Sequence, residues 1–355
     1  MERVRVAVLG VTGVVGQRFV QLLSNHPWFE IAYLAASEAS AGKRYFEAVE
    51  WVVEGPLPQP VGDMVLGPPD PNAIPRDVEV VFSALPSGVA AGIEVELAKR
   101  GFTVVSNASP MRLDGDVPLV NPEVNWEHLR LVEVQRKRRG WRGCIIKNPN
   151  CTTAILTLSL KPLVDAFGLR RVIVTTLQAV SGAGLRGVPS MAVIDNVIPY
   201  IEGEEEKVRR ESRKILGRLA GEGVEEYPVE ISATTTRVPV LDGHLESVHV
   251  ELREPAGVEE AAEVMAGFRS KPQELGLPTA PEKPIVVRRE PDRPQPRLDR
   301  LEGGGMSVVV GRLEEAHGLG RGWLKYVVLG HNAVRGAAGA AVLIAELYLK
   351  LEGLV

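Results

Sequence analysis

Residues 3–23 constrain this chain more than any other stretch. Arg3-Val4-Arg5-Val6-Ala7-Val8-Leu9 is an apolar, β-branched run of the kind that fills a buried parallel strand. It passes directly into Gly10-Val11-Thr12-Gly13-Val14-Val15-Gly16 and then into Gln17-Arg18-Phe19-Val20-Gln21-Leu22-Leu23, whose apolar spacing is helical. A strand, a glycine turn and a helix in that order predict the first βα unit of a doubly wound sheet and, at its turn, a dinucleotide site. Gly10 allows the tight turn, Gly13 the approach of a pyrophosphate, and Gly16 close packing of helix on strand. The phosphates then rest at the helix N-terminus, among the backbones of Thr12, Val14 and Val15.

Charge decides which dinucleotide fits. The second strand, Phe29-Glu30-Ile31-Ala32-Tyr33-Leu34-Ala35-Ala36, ends at Ser37, where an Asp or Glu would otherwise bond a free ribose 2′-hydroxyl. Ser37, Ser40, Lys43 and Arg44 follow and suit a 2′-phosphate, which favours NADP although Glu38 adjoins them. A third strand from Val78 runs through Ser83 into the Leu85-Pro86-Ser87-Gly88 loop, expected at the carboxyl edge of the sheet where a cofactor binds.

Asn148-Pro149-Asn150-Cys151-Thr152-Thr153 places a cysteine at a second strand-to-helix junction, between Gly143-Cys144-Ile145-Ile146 and Ala154–Leu160. Unpaired N–H groups and the positive end of the helix dipole there favour a thiolate, and neighbouring N–H groups can hold an oxyanion. Cys151 therefore reads as a nucleophile, against the alternative of a small core residue.

Length, charge and composition narrow the class. A chain of 355 residues suits two domains, and a formal charge of −4 argues against a general nucleic-acid surface. The cluster Arg136-Lys137-Arg138-Arg139 is read as a solvated hairpin tip. No apolar run approaches membrane-spanning length, and the charged opening Met1-Glu2-Arg3 leads into a strand rather than a signal peptide. Two cysteines make no disulfide framework, so a cytoplasmic setting is expected. No residue grouping points to a metal.

The expected fold is α/β, with a Rossmann-like doubly wound domain over 1–149. An α+β catalytic and oligomerisation domain with a mixed sheet follows over 150–331, and an Ala-rich helix within 332–355 returns to the first domain. Strands are expected at 171–180, 231–238 and 246–252, a charged helix from Glu204 to Leu219, and a Pro- and Arg-rich loop excursion over 271–297.

Taken together, Gly10-x-Thr12-Gly13-x-x-Gly16, Asn148-Pro149-Asn150-Cys151, Arg237 and His244 resemble the aspartate-semialdehyde dehydrogenases. The Gly203-Glu204-Glu205-Glu206-Lys207 run looks like the archaeal and fungal branch. The resemblance spans the chain. It implies NADP at the N-terminal domain, a homodimer or homotetramer, and reversible reductive dephosphorylation of β-aspartyl phosphate to aspartate semialdehyde in lysine, threonine and methionine biosynthesis. By the same resemblance Cys151 matches the nucleophile and His244 the general acid/base. Arg237 matches the grip on the substrate α-carboxylate, and Glu204 that on its ammonium. Lys207, Arg112 and Asn107 match phosphate-binding groups, Gln178 a substrate-orienting amide, and Asn150 a side chain at the oxyanion. Ser181, Gly182 and Asn332 match groups at the cofactor. Thr235 and Leu245 depart from bacterial members, which often carry a cysteine and a small residue there.

The implied chemistry runs through a Cys151 thioester, with a small anionic substrate and inorganic phosphate as reaction partners. Two other thioester-forming reductases on this scaffold compete: those acting on N-acetylglutamyl phosphate and on malonyl-CoA. A non-catalytic NADP-binding regulator is the alternative from another class, and Cys151, Arg237 and His244 together speak against it.

Overall fold

The computed structural model describes residues 3–355, so Met1 and Glu2 of the charged opening lie outside the described residues. The first sheet holds β1 (Val4–Leu9), β2 (Phe29–Ala35), β3 (Val80–Ser83), β4 (Thr103–Ser106) and β5 (Cys144–Lys147) in the order β2-β1-β3-β4-β5. Every neighbouring pair is parallel, and these strands are largely apolar, as a sheet with helices on both faces requires. Such a sheet presents its carboxyl edge to a ligand at the point where chain order reverses, and β1 and β3 are neighbours there.

The helix Val14–Leu23 follows β1 directly. Gly10 sits at φ +77°, and a Cβ on it would come within 2.5 Å of the Ala84 carbonyl oxygen. A Cβ on Gly16 would lie 2.3 Å from the Gly10 oxygen, so glycine is what lets this helix lean on the strand end. The helix Leu131–Arg139 ends in the basic cluster 136–139, which corrects the hairpin expectation. Cations there face the negative end of the helix dipole, and Arg139 pairs with Asp114 and Asp116 and stacks on Trp141.

The second sheet begins with β6 (Leu169–Gln178). After a small ribbon of β7 (Arg218–Ala220) and β8 (Gly223–Glu225) come β9 (Glu230–Arg237), β10 (His244–Leu252), β11 (Ile285–Val287), β12 (Val308–Glu315) and β13 (Trp323–Gly330). Six of these form a mixed sheet in the order β11-β12-β13-β10-β6-β9. Burial alternates strictly along β10, so His244, Glu246, Val248, Val250 and Leu252 all face inward. The stretch 271–297 is not one loop: it contains edge strand β11, parallel to β12. The charged helix is Glu204–Ile215 and stops before Leu219, because residues 218–220 pair as β7.

A long helix, Cys151–Phe167, leaves β5 and packs on the inner face of the second sheet. The C-terminal segment makes a wide turn over Val334–Ala338 and then the helix Gly339–Leu351. That helix is buried in the core of the first sheet, against Phe19, Phe29 and Phe82. Among the described residues, no helix is long and apolar enough to cross a membrane.

Candidate active site

Strand register assembles the site. Gln178 on β6 pairs with Arg237 on β9, and His244 on β10 lies one residue beyond the Leu245–Leu177 pair, which aligns it with Gln178. The row His244–Gln178–Arg237 thus crosses three strands at one level. The next level inward is Glu246–Thr176–Thr235. Cys151, first residue of its helix, is brought onto the first row: its Sγ lies 3.2 Å from His244 Nε2.

Around the sulfur, charge and burial oppose the helix end. Burial first and the Glu204 carboxylate second push the Cys151 thiol up to about 12, against the pull of Arg237, the Thr152 N–H and Arg112. The helix N-terminus was expected to favour the thiolate; desolvation and a nearby carboxylate outweigh it. His244 is fully buried. Burial, then the charges of Arg237 and His331, hold its pKa well below the ordinary imidazole value.

Glu204 is the hub. Its Oε1 accepts from Asn150 Nδ2 at 2.8 Å, from Gln178 Nε2 at 3.3 Å and from Thr152 Oγ1 at 3.4 Å, while Lys207 Nζ lies 3.4 Å from Oε2. Asn150 also caps the Cys151 helix, its Oδ1 accepting from Thr153 N at 3.1 Å. Asn150, expected at the oxyanion, instead ties the nucleophile's helix to Glu204. Arg237 is buried and donates to the Ala179 carbonyl at 2.7 Å. Gly182 is pressed so close that a Cβ there would meet the Arg237 guanidinium at 2.9 Å and the His244 ring at 3.0 Å. Glu246 is wholly buried, and neither of its oxygens has a hydrogen-bond partner among the described residues. Burial, then the Glu204 charge, hold it well above the usual carboxylate range.

Arg112 donates to Glu211 Oε1 at 3.0 Å and to the Asn107 carbonyl at 2.6 Å. Glu211 Oε2 accepts the Asn150 main-chain N–H at 2.7 Å, so it joins the basic group to the nucleophile's turn. Sequence reading missed Glu211. Its signal was present: it stands seven residues after Glu204, on the same face of one helix.

One cavity of about 560 Å³ gathers Cys151, Asn150, Gln178, Arg237, Glu204 and Lys207, together with Arg112, Asn107, Ser181, Gly182, Asn332 and the Gly13–Gly16 turn. A second, of about 670 Å³, holds Gly10, Thr12, Gly13, Ser37, Glu38, Asp70, Leu85 and Pro86. Gly13 and Ala84 line both, so a continuous groove leads from the end of β2 to the cysteine. Ser40 and Lys43 do not line it, and two carboxylates, Glu38 and Asp70, do. Ser83 is not at the groove surface: it is fully buried and donates to Glu94 at 2.7 Å, in a network with Ser106 and Lys147. Asn332 bridges two loops, its Oδ1 accepting from Gly243 N and its Nδ2 donating to Ser181 Oγ, both at 2.8 Å. Glu54, Asp242 and His331 crowd together, but Arg18 already pairs with both carboxylates, and His331 Nδ1 accepts a main-chain N–H.

The NAD-binding domain of semialdehyde dehydrogenases matches residues 5–132, and their dimerisation domain matches residues 160–335. The aspartate-semialdehyde dehydrogenase of Archaeoglobus fulgidus is 55% identical over 349 residues, 98% of each chain. The chain belongs to the aspartate-semialdehyde dehydrogenase family. The crystal structure of the Candida albicans member with NADP superposes with a TM-score of 0.90 at 42% identity, covering 99% of both chains. The malonyl-CoA reductase (NADP) of Metallosphaera sedula is also similar, 41% identical over 352 residues, 98% of this chain and 97% of its own. The relatives thus include two of the three chemistries that the sequence left in competition.

Proposed function

We propose that the chain catalyses the reversible, NADP-dependent reductive dephosphorylation of β-aspartyl phosphate to aspartate semialdehyde through a thioester on Cys151, in lysine, threonine and methionine biosynthesis. The observation that carries this reading is the cleft that gathers Cys151, Arg237 and Glu204, with His244 behind it against the Cys151 sulfur. Of the residues expected to hold the cofactor, the Gly10–Gly16 turn, Ser37, Leu85, Pro86, Ser181, Gly182 and Asn332 lie along the groove, while Ser40, Lys43 and Ser83 do not. The first N–H groups of the Val14–Leu23 helix open on the groove with no side-chain cap, as a pyrophosphate requires. When bound, NADPH supplies hydride to the thioester carbon.

The chain's own groups do the rest. Arg237 holds the α-carboxylate by parallel hydrogen bonds and Glu204 the α-ammonium, while Arg112, Lys207 and Asn107 take the phosphate. Gln178 orients the substrate. Cys151 Sγ attacks the acyl carbon and phosphate leaves, with main-chain N–H groups at the helix start holding the oxyanion. His244 Nε2 faces the sulfur as it bonds and as it departs. Residues 1–149 with the C-terminal helix serve as the cofactor unit, and 150–331 as the catalytic and oligomerising unit of a homodimer or homotetramer. The dimerisation-domain match and exposed Met191, Ile194, Val197 and Tyr200 support that assembly.

Malonyl-CoA is the second reading, favoured by the 41% identical reductase; Glu204 distinguishes the two, since malonyl-CoA has no ammonium. The test is NADPH formation from aspartate semialdehyde with and without phosphate, beside NADPH oxidation with malonyl-CoA. Phosphate-dependent formation is expected; activity with malonyl-CoA alone would overturn the assignment.

A further inference from the structure

The helix Glu204–Ile215 lies between strands of the second sheet, whereas Arg112 follows β4 of the first. Three buried side chains of that helix, Glu204, Glu211 and Lys214, stand at i, i+7 and i+10 and so share one face. Lys214 Nζ donates to the carbonyls of Arg112, Asp114 and Val117 at 2.8, 2.7 and 2.8 Å, which uses all of its hydrogens. Met111, beside Arg112, sits at φ +65°, a left-handed conformation that a methionine keeps only where its surroundings enforce it. Lys214 enforces it from one side. Arg139, paired with Asp114 and Asp116, does so from the other.

Glu211 is the member of this face that touches two supports at once. Its Oε1 takes Arg112 Nη1 at 3.0 Å and its Oε2 the Asn150 main-chain N–H at 2.7 Å, with the residue only 2% exposed. One oxygen therefore holds the arm for phosphate, and the other holds the residue before the nucleophile. The donors left over point to an anion. Arg112 commits its two terminal nitrogens to Glu211 and to the Asn107 carbonyl and keeps Nε–H free. Arg112 Nε and Asn107 Nδ2 are both buried without a partner among the described residues, and both residues line the cavity of Cys151.

We propose that Glu211 is a positioning residue for the phosphate step: its two oxygens hold Arg112 at a set separation from the Cys151 turn, so that phosphate meets the acyl carbon carried on Sγ. This rests on the thioester reading above. In that step an oxygen of hydrogen phosphate bonds to the acyl carbon and the C–S bond breaks. The electron pair of that bond stays on Sγ. The hydrogen phosphate proton ends there by way of His244, leaving acyl phosphate and thiol. Glu211 touches none of the reacting atoms and acts through Arg112 and Asn150. Positioning and bare charge predict opposite signs. A negative charge beside phosphate repels it, so as a charge alone Glu211 weakens phosphate binding, whereas as a support it strengthens it.

The test is Glu211→Gln, assayed as phosphate-dependent NADPH formation from aspartate semialdehyde. Glutamine fills the same volume. Its one oxygen keeps the fixed Asn150 N–H, and its amide nitrogen then faces Arg112, donor against donor. kcat/KM for phosphate should fall at least about tenfold, with the KM for aspartate semialdehyde within about twofold of wild type. Without phosphate, the burst of NADPH that marks thioester formation should survive, since the Asn150 bond is kept. Arg112→Met supplies a double-mutant cycle: with the guanidinium gone, adding Glu211→Gln should lower kcat/KM for phosphate no further. A gain in phosphate efficiency, an equal fall for both substrates, or losses that multiply in the double variant would overturn the proposal. Absence of a phosphate-free burst in the wild type would instead refute the thioester reading, so the two failures are told apart.

Discussion

Glu204→Gln separates two effects of one charge. Glutamine keeps an oxygen for Asn150, Gln178 and Thr152, which all address Oε1, so the fold of the site should persist. What disappears is the negative charge. That charge is the second-largest influence raising the Cys151 thiol from 9.0 to about 12, after burial. Its removal lowers the thiol's pKa, and each unit of lowering gives about ten times more thiolate at a fixed pH below the pKa, so iodoacetamide should alkylate the variant faster in proportion. Turnover should move the other way. The substrate ammonium loses its carboxylate partner, and a hydrogen bond to a charged group contributes about 1.5–3 kcal/mol, so kcat/KM for aspartate semialdehyde should fall roughly 10- to 150-fold. Any malonyl-CoA activity should be unchanged. The assays are loss of activity against iodoacetamide at fixed pH, with alkylation located by mass spectrometry, and initial rates of NADPH formation. Slower or unaltered alkylation would show that the Glu204 charge does not govern the sulfur. An undiminished kcat/KM would show that the ammonium binds elsewhere.

Four further outcomes are expected. Cys151→Ala should abolish turnover while leaving NADP affinity, measured by calorimetry, nearly intact; Cys151→Ser should be almost as inactive and Cys144→Ala near wild type. Arg237→Lys keeps the charge but loses the two-point grip, so kcat/KM for aspartate semialdehyde should drop at least roughly 100-fold; near-normal rates would place the carboxylate clamp elsewhere. For pH, a thiol raised to about 12 is protonated at neutrality and its thiolate fraction grows as pH rises. The wild-type alkylation rate should therefore climb about tenfold per unit between about pH 7 and 9, and a plateau there would contradict the raised pKa. Ser37→Asp sets a carboxylate where the 2′-phosphate is expected and should raise the NADP Michaelis constant far more than the NAD one.

What the sequence disclosed and what it hid divides by range. The Gly10–Gly16 turn and the Cys151 junction were legible because each is a local junction whose backbone needs write themselves into a few adjacent residues. The strand at 246–252 was legible from its local residue pattern too, although its buried start at His244 and the burial of Glu246 were not. Pairing was not: β13 finds β10 across some 80 residues of chain, and β11 hid among prolines because a three-residue edge strand has almost no pattern of its own. Side-chain engagement was hidden as well. Ser83 sits at the correct strand end for a cofactor contact, yet it turns inward to Glu94, and Asn150 turns to Glu204. The thiol's direction of shift was misjudged because helix-end electrostatics are local to the sequence, whereas the Glu204 carboxylate and the enclosing walls are brought by tertiary packing.

The central claim is that Cys151 becomes acylated, and intact-protein mass spectrometry tests it most directly. Enzyme mixed with aspartate semialdehyde and NADP, without phosphate, and quenched in acid should gain one aspartyl group. Peptide mapping should place that group on Cys151, and added phosphate should discharge it. Phosphate-dependent NADPH formation with no acyl-enzyme at any time, or an adduct on another residue, would contradict the account.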